Sequence, residues 1–253
     1  MPSPLPETID GVLERLNGLL DDAIRNGRRI GYFVALYERV TANVRHALLA
    51  GNVFDDGPRM ERLDVVFANR FLEAWDQHVA GRRPSESWAA AFARLEEPGL
   101  LVVQHLMLGM NAHINLDLGI AAATVASTRP QLEALHADFN RINDVLARLV
   151  KIVEVQLTTI CPPLSRLADL VTVEERIFDF GMMASRDIAW KLAVDLVAAP
   201  RDSWPAIIAR RDALSAAAAR ALYPLHGVAA VTALSVHAHE CRDVRWNIQV
   251  VAE

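Results

Sequence analysis

Residues 100–126 read LLVVQHLMLGMNAHINLDLGIAAATVA, and this stretch decides the fold. It is apolar enough for the centre of a protein, yet it carries Gln104, His105, Asn111, His113, Asn115 and Asp117. A polar group buried without a partner costs several kcal/mol. Each of the six therefore needs a neighbour, a ligand or a metal. The run is long enough to cross a bilayer, but its polar content points to a buried central helix instead. At about 100° per residue, Gln104, Asn111 and Asn115 share one side. His113 and Asp117 share the opposite side, with Leu106 and Met110, and His105 falls between, about 80° from His113.

The pair His113-x-x-x-Asp117 has i,i+4 spacing, about 6 Å along the axis. That spacing suits two ligands on one divalent metal, a carboxylate orienting an imidazole for acid–base work, or a His–Asp pair that satisfies itself. His105 lies about 12 Å along the axis from His113, too far to share one ion with it. Gln104, Asn111 and Asn115 are expected to satisfy the backbone of neighbouring helices. Asn111, Asn115 and His105 also count as candidate ligand-binding residues.

Outward from this helix, Gly and Pro punctuate a series of helical patterns. The expected helices run over 7–26, stopping at Gly27, over 30–50, ending at Gly51, and over 59–80, closed by Gly81. A short helix is expected over 87–95. Thr128-Arg129-Pro130-Gln131 and Thr172-Val173-Glu174-Glu175 are capping-box patterns opening helices to about 160 and 198. Further helices are expected over 202–222 and about 225–250. No strand run, repeat or low-complexity linker interrupts them. The expectation is one all-α domain over 1–253, a bundle of eight to ten helices around the 99–126 helix.

Several of these helices also set charges on apolar faces. Asp138 sits in the stripe of Leu135, Ile142, Val145 and Leu149. Arg186 sits among Phe178, Met182, Ala189 and Ala193. Asp64 lies on the side of Ala68 and Phe71, with Glu61 one turn before. A buried arginine keeps its proton and needs acidic or carbonyl partners. Two readings stay open. Arg186 pairs with Asp138 or Asp64 in a structural ion network, or it anchors an anionic substrate through its forked donors. In the second, Asp64, Asp138 or Asp117 is a general base with a pKa raised by burial. In the last helix, His239 and Asp243 fall on a solvated face, while His237 and Cys241 lie one turn apart on the apolar side with His226. His46, His78 and His136 look like surface residues, and Tyr32 and Tyr37 like ordinary core or rim aromatics.

Composition limits the function. The chain of 253 residues is 52% hydrophobic and 23% charged, with a net charge of −5 and no basic tract, which argues against nucleic acid. Two cysteines make no disulfide framework, and the N-terminal MPSPLPETID shows no signal peptide. A cytoplasmic, non-membrane protein is expected. Nucleotide-binding glycine motifs, the GxSxG elbow, HExxH and paired ExxH repeats are all missing. What remains is a small-molecule enzyme with His113, Asp117 and Arg186 in a buried polar pocket, with or without a divalent metal. The alternatives are a cofactor-free binder or cyclase-like template with an apolar pocket, and a non-catalytic helical protein with a structural ion network.

Certain runs together carry a family resemblance. They are YFVALY (32–37), FDDGPRMERLD (54–64), FANR (67–70), LGMNAHINLDLG (108–119), DFNRIN (138–143) and RDIAW (186–190). Over about residues 30–200 the chain resembles a bacterial family known as domain of unknown function 5995. The resemblance implies an all-helical fold. Its runs contain Asp64, Asn111, His113, Asn115, Asp117, Asp138 and Arg186, the same positions that the face geometry selects.

Overall fold

Thr8 accepts the backbone N–H of Gly11 and opens the first helix, and Gly27 closes it in the left-handed conformation. In this computed structural model, which describes residues 4–97, 99–162, 174–221 and 236–253, the pattern repeats down the chain. The α-helices are α1 (Ile9–Asn26), α2 (Ile30–Ala50), α3 (Gly57–Val79), α4 (Glu86–Phe92), α5 (Val102–Ala112), α6 (Gly119–Val125), α7 (Arg129–Ile160), α8 (Glu174–Ala198), α9 (Trp204–Ala221) and α10 (Val244–Ala252). A short 3₁₀ turn, Arg201–Ser203, precedes α9. There is no strand among the described residues, so the all-α expectation holds. No helix among them is long and apolar enough to cross a membrane.

Two expectations are corrected. The 99–126 stretch is not one uniform helix. Between α5 and α6 the chain forms a π-helical segment, His113–Leu118, which contains both residues of the HxxxD pair. Single π turns inside α-helices recur at functional sites. The continuous helix expected over 225–250 is also not seen where the chain is described. Residues 236–243 include turns, and Asp243 is the N-cap of α10, accepting from the N–H groups of Arg245 and Trp246. Asp243 therefore serves a helix end, and the second HxxxD is not a helical face. His226 and the Thr172 capping box lie outside the described residues.

The central segment, α5 through α6, packs against α2, α3, α4, α8 and α9. Two glycines permit its close approaches. A methyl on Gly109 would overlap the Phe33 ring of α2, and one on Gly119 would meet the Ala189 carbonyl of α8. Two hydrophobic clusters flank the segment. One gathers α1, α2, much of α3 and α4, with Phe33, Phe71 and Trp88. The other gathers α6, the first half of α7, and α8, with Leu116, Phe139 and Leu196. Phe67 touches both.

Carboxylates from afar fix two helix starts. Asp138 accepts from the backbone N–H groups of Asp55 and Asp56 at 2.7 and 3.0 Å, just ahead of α3. Asp212 of α9 accepts from Glu86 and Ser87 at 2.6 and 2.8 Å and so caps α4. Helix N-termini expose orphan N–H groups and a positive dipole end, which such carboxylates satisfy.

Candidate active site

An apolar cavity of about 80 Å³ opens where the two clusters meet, between α2, α3, the central segment, α7 and α8. A water requires about 10–15 Å³ of such space, so this room takes several waters or a small organic molecule. Most of its wall is hydrocarbon, including Phe33, Val40, Leu63, Phe67, Ile142 and Leu149. Among the described residues, four polar side chains interrupt it: Tyr37, Asp64, His113 and Arg186. Each of the four has a buried polar atom without a hydrogen-bond partner: the Tyr37 hydroxyl, Asp64 Oδ2, His113 Nε2 and Arg186 Nε. Buried polar atoms are satisfied in the great majority of cases. Among the twelve such atoms of the described residues, these four share one cavity.

His113 is held from three directions. Its Nδ1 lies 3.3 Å from Asp117 Oδ2. Its ring stacks on Phe67 with centroids 3.6 Å apart and 8° between planes, and the Tyr37 ring stands at 78° to it with centroids 4.5 Å apart. Asp117 is fully buried and anchored in turn, by Arg70 Nε at 2.7 Å and the Trp88 indole N–H at 2.8 Å. Burial pushes the Asp117 carboxyl up, but Arg70, His113 and Trp88 together hold it below the usual carboxylate range. It is thus ionised and can only accept. The Nδ1 proton of His113 must then point at Asp117, which leaves Nε2 as a bare acceptor. Burial depresses the His113 pKa, with Asp117 opposing, so the ring is neutral at pH 7. The 3.3 Å contact is long for a hydrogen bond, as catalytic contacts commonly are before substrate arrives.

Asp64 is the electrostatic opposite. Burial, with Glu61 on the same helix, raises its pKa to about 7. Tyr37 is pushed well above its ordinary value by burial, then by the charges of Asp64 and Asp117, so it keeps its proton. Arg186 is 5% exposed. Burial lowers its pKa to about 10, against Asp187, and it stays cationic at pH 7. It donates from Nη2 to the Phe139 carbonyl and lies 4.3 Å over the Phe139 ring.

The expected pairing of Arg186 with Asp138 or Asp64 does not form. Asp138 is saturated by Arg59 at 2.9 Å and Arg141 at 2.6 Å besides its two backbone donors, and it stands outside the cavity wall. No carboxylate lies within salt-bridge distance of Arg186 among the described residues. The amides also stand outside the wall. Asn111 donates to the Ser215 carbonyl at 2.8 Å, Ser215 Oγ donates back to the Asn111 carbonyl, and Asn115 donates to Asn111 Oδ1. Arg211 donates to the Asn115 carbonyl inside the π segment. These contacts fasten the central segment to α9. His105 packs on Tyr32 with ring centroids 5.6 Å apart, and burial and the Arg29 charge lower its pKa to about 4. Near the C-terminus, His237 Nδ1 lies 3.8 Å from Glu240.

A metal held jointly by His113 and Asp117 does not suit this arrangement. The two residues bond to one another, and both Asp117 oxygens already take other donors. No three His, Cys, Asp or Glu side chains cluster as metal ligands among the described residues.

Tyr37, Arg70 and Trp88 complete the site, and the sequence analysis assigned them no role in it. Signals for them existed. A tyrosine hydroxyl or tryptophan N–H on a core face has to find a partner, and Arg70 stands in the FANR run that carries the resemblance.

The chain matches the model of a family of unknown function (DUF5995) over residues 9–224, and it belongs to that family. No curated protein and no solved structure is significantly similar to it.

Proposed function

We propose that this member of a family without assigned function is a small-molecule enzyme that works by acid–base chemistry in a buried cavity. His113 Nε2 is the base, oriented by Asp117. Arg70 and Trp88 hold Asp117, and Arg186 anchors an anionic group of the substrate. The observation that carries the proposal is the set of four unpartnered polar atoms on one apolar cavity. Unpartnered buried atoms also occur singly elsewhere, as at Arg59 Nε in the Asp138 network, but here four face one cavity. An aspartate on Nδ1 fixes the tautomer and stabilises the imidazolium that forms when Nε2 takes a proton. The apolar wall keeps water out and strengthens each interaction inside. No disulfide joins Cys161 and Cys241, which suits the reducing cytoplasm where we place the protein.

The apolar wall also supports a second reading, a binder that holds an apolar acid without turning it over. Both readings need the Arg186 anchor, so one experiment tests the anchor. Benzoate and hexanoate, titrated in a thermal-shift assay, raise the Tm of the wild type and leave Arg186→Met unmoved. Equal shifts in both proteins would overturn the anchor. The ¹⁵N signal of His113 Nε2 separates the two readings. A base carries no proton there at pH 7, whereas a protonated Nε2 removes it from catalysis.

A further inference from the structure

We infer that the cavity turns over an apolar carbonyl compound through its enolate, with the Tyr37 hydroxyl and the Asp64 carboxyl hydrogen-bonding the oxygen that becomes negative. The inference rests on His113 as the base and adds the substrate class and reaction type.

The geometry comes first. Tyr37 on α2 and Asp64 on α3 line the same cavity as His113, and each presents a buried oxygen with no protein partner. The Tyr37 phenol is a donor at every accessible pH. A protonated carboxyl is also a donor, and an apolar site is what keeps a carboxyl protonated. Asp64 meets that condition, with no cation in salt-bridge distance among the described residues and a pKa raised to about 7 by burial and Glu61. The ionisable groups around it are Glu61 on its own helix, Tyr37 on α2, His113 and Asp117 on the central segment, and Arg186 on α8. Two neutral donors on the same largely apolar cavity as a base are the parts that proton abstraction beside a carbonyl uses.

The step balances without a cofactor. The C–H bond beside the carbonyl breaks and its proton goes to His113 Nε2. The electron pair forms the carbon–carbon double bond, and the carbonyl π pair moves onto oxygen, where Tyr37 and Asp64 meet it. Return of the proton to the same carbon exchanges hydrogen, and its return to a conjugated carbon moves a double bond. Asp117 offsets the positive charge that His113 carries in between.

The probe is 4-nitrophenol, a planar apolar phenol whose phenolate resembles an enolate and absorbs at longer wavelength than the phenol. At pH 6 the wild type binds it as phenolate, and Tyr37→Phe binds it about tenfold more weakly. Tyr37→Phe removes a hydroxyl with only the Thr41 side chain as a weak neighbour among the described residues, and circular dichroism checks that the fold survives. Phenolate affinity of the wild type falls as pH rises through about 7 and Asp64 ionises. In Asp64→Asn the amide N–H replaces the acid, and that fall disappears. Affinity lost in Arg186→Met but intact in Tyr37→Phe overturns the enolate inference and leaves the anion anchor standing. Absence of phenolate binding by the wild type overturns it as well.

Discussion

Asp138 and Asp64 are both aspartates on long helices with almost no exposed surface, 0% and 7%. Asp138 receives four donors: two backbone N–H groups before α3, Arg59 and Arg141. Asp64 leaves Oδ2 without any. Both were candidates for catalysis on sequence grounds, and their surroundings separate them. A buried carboxylate with every lone pair engaged holds two segments in register. One with an idle oxygen on a cavity is available to a ligand. Arg59 and Arg186 each leave a buried Nε without a partner, but Arg59 also pairs with Asp138, whereas Arg186 meets no carboxylate in salt-bridge distance among the described residues.

The largest effect should come from breaking the satisfied side. Asp138→Ala strands two backbone N–H groups and takes one partner each from Arg59, which keeps Asp56 and the Ala134 carbonyl, and from Arg141, which keeps Asp55. It should lower stability by about 3 kcal/mol, read as a drop in the urea midpoint. Asp64→Asn, by contrast, should stay within about 1 kcal/mol at pH 5. Equal losses in the two variants would erase the distinction.

Next comes pH. The native state holds the Asp64 proton up to about pH 7, while the unfolded chain releases it near 4. The unfolded state therefore binds fewer protons, and Asp64 draws stability down as pH rises through that window. Asp117 and Asp138, both held low, act oppositely and lose their contribution only on strong acidification. His113, also held low, loses its contribution below about 6.5. Between pH 5 and 7, Asp64→Asn should gain about 2 kcal/mol on the wild type, measured by paired urea titrations.

A smaller loss, about 1 kcal/mol, should follow Asp117→Asn, because Arg70 retains access to water. Its clearer signature is the ¹⁵N spectrum, where the Nδ1 proton of His113 is no longer dictated by an anion. The smallest effect should be Arg186→Met. Trading a buried charge that meets no carboxylate in salt-bridge distance among the described residues for a thioether leaves stability within about 0.5 kcal/mol or raises it. A loss as large as that of Asp138→Ala would return Arg186 to the structural side.

The helices were legible because their punctuation is local. Gly27, Gly51 and Gly81 all take positive φ where they end helices, and Thr8 and Asp56 cap as their side chains dictate. The His113–Asp117 pair was legible because an i,i+4 relation survives any right-handed helix. The partners of Arg186 were not, because helical periodicity selects a face and says nothing about which helix lies across it. Tyr37 was missed for a related reason. On its own helix it is one more apolar-face aromatic, and only the gap opposite its hydroxyl makes it chemical. The π segment escaped because a wheel drawn at a constant angle has no place for an extra residue.

That extra residue is held in one wide turn. One side of the segment offers Gly109 to α2 and the other offers Gly119 to α8. At about 100° per residue, an extra residue carried through an ordinary helix would rotate everything after it by that angle. The π turn absorbs it within His113–Leu118, and Gly119 still meets the Ala189 carbonyl. Forcing the six residues into α geometry would take Gly119 off that carbonyl and set a bulkier neighbour in its clearance. The wall that carries the imidazole and the wall that carries the guanidinium thus keep their phase through six residues.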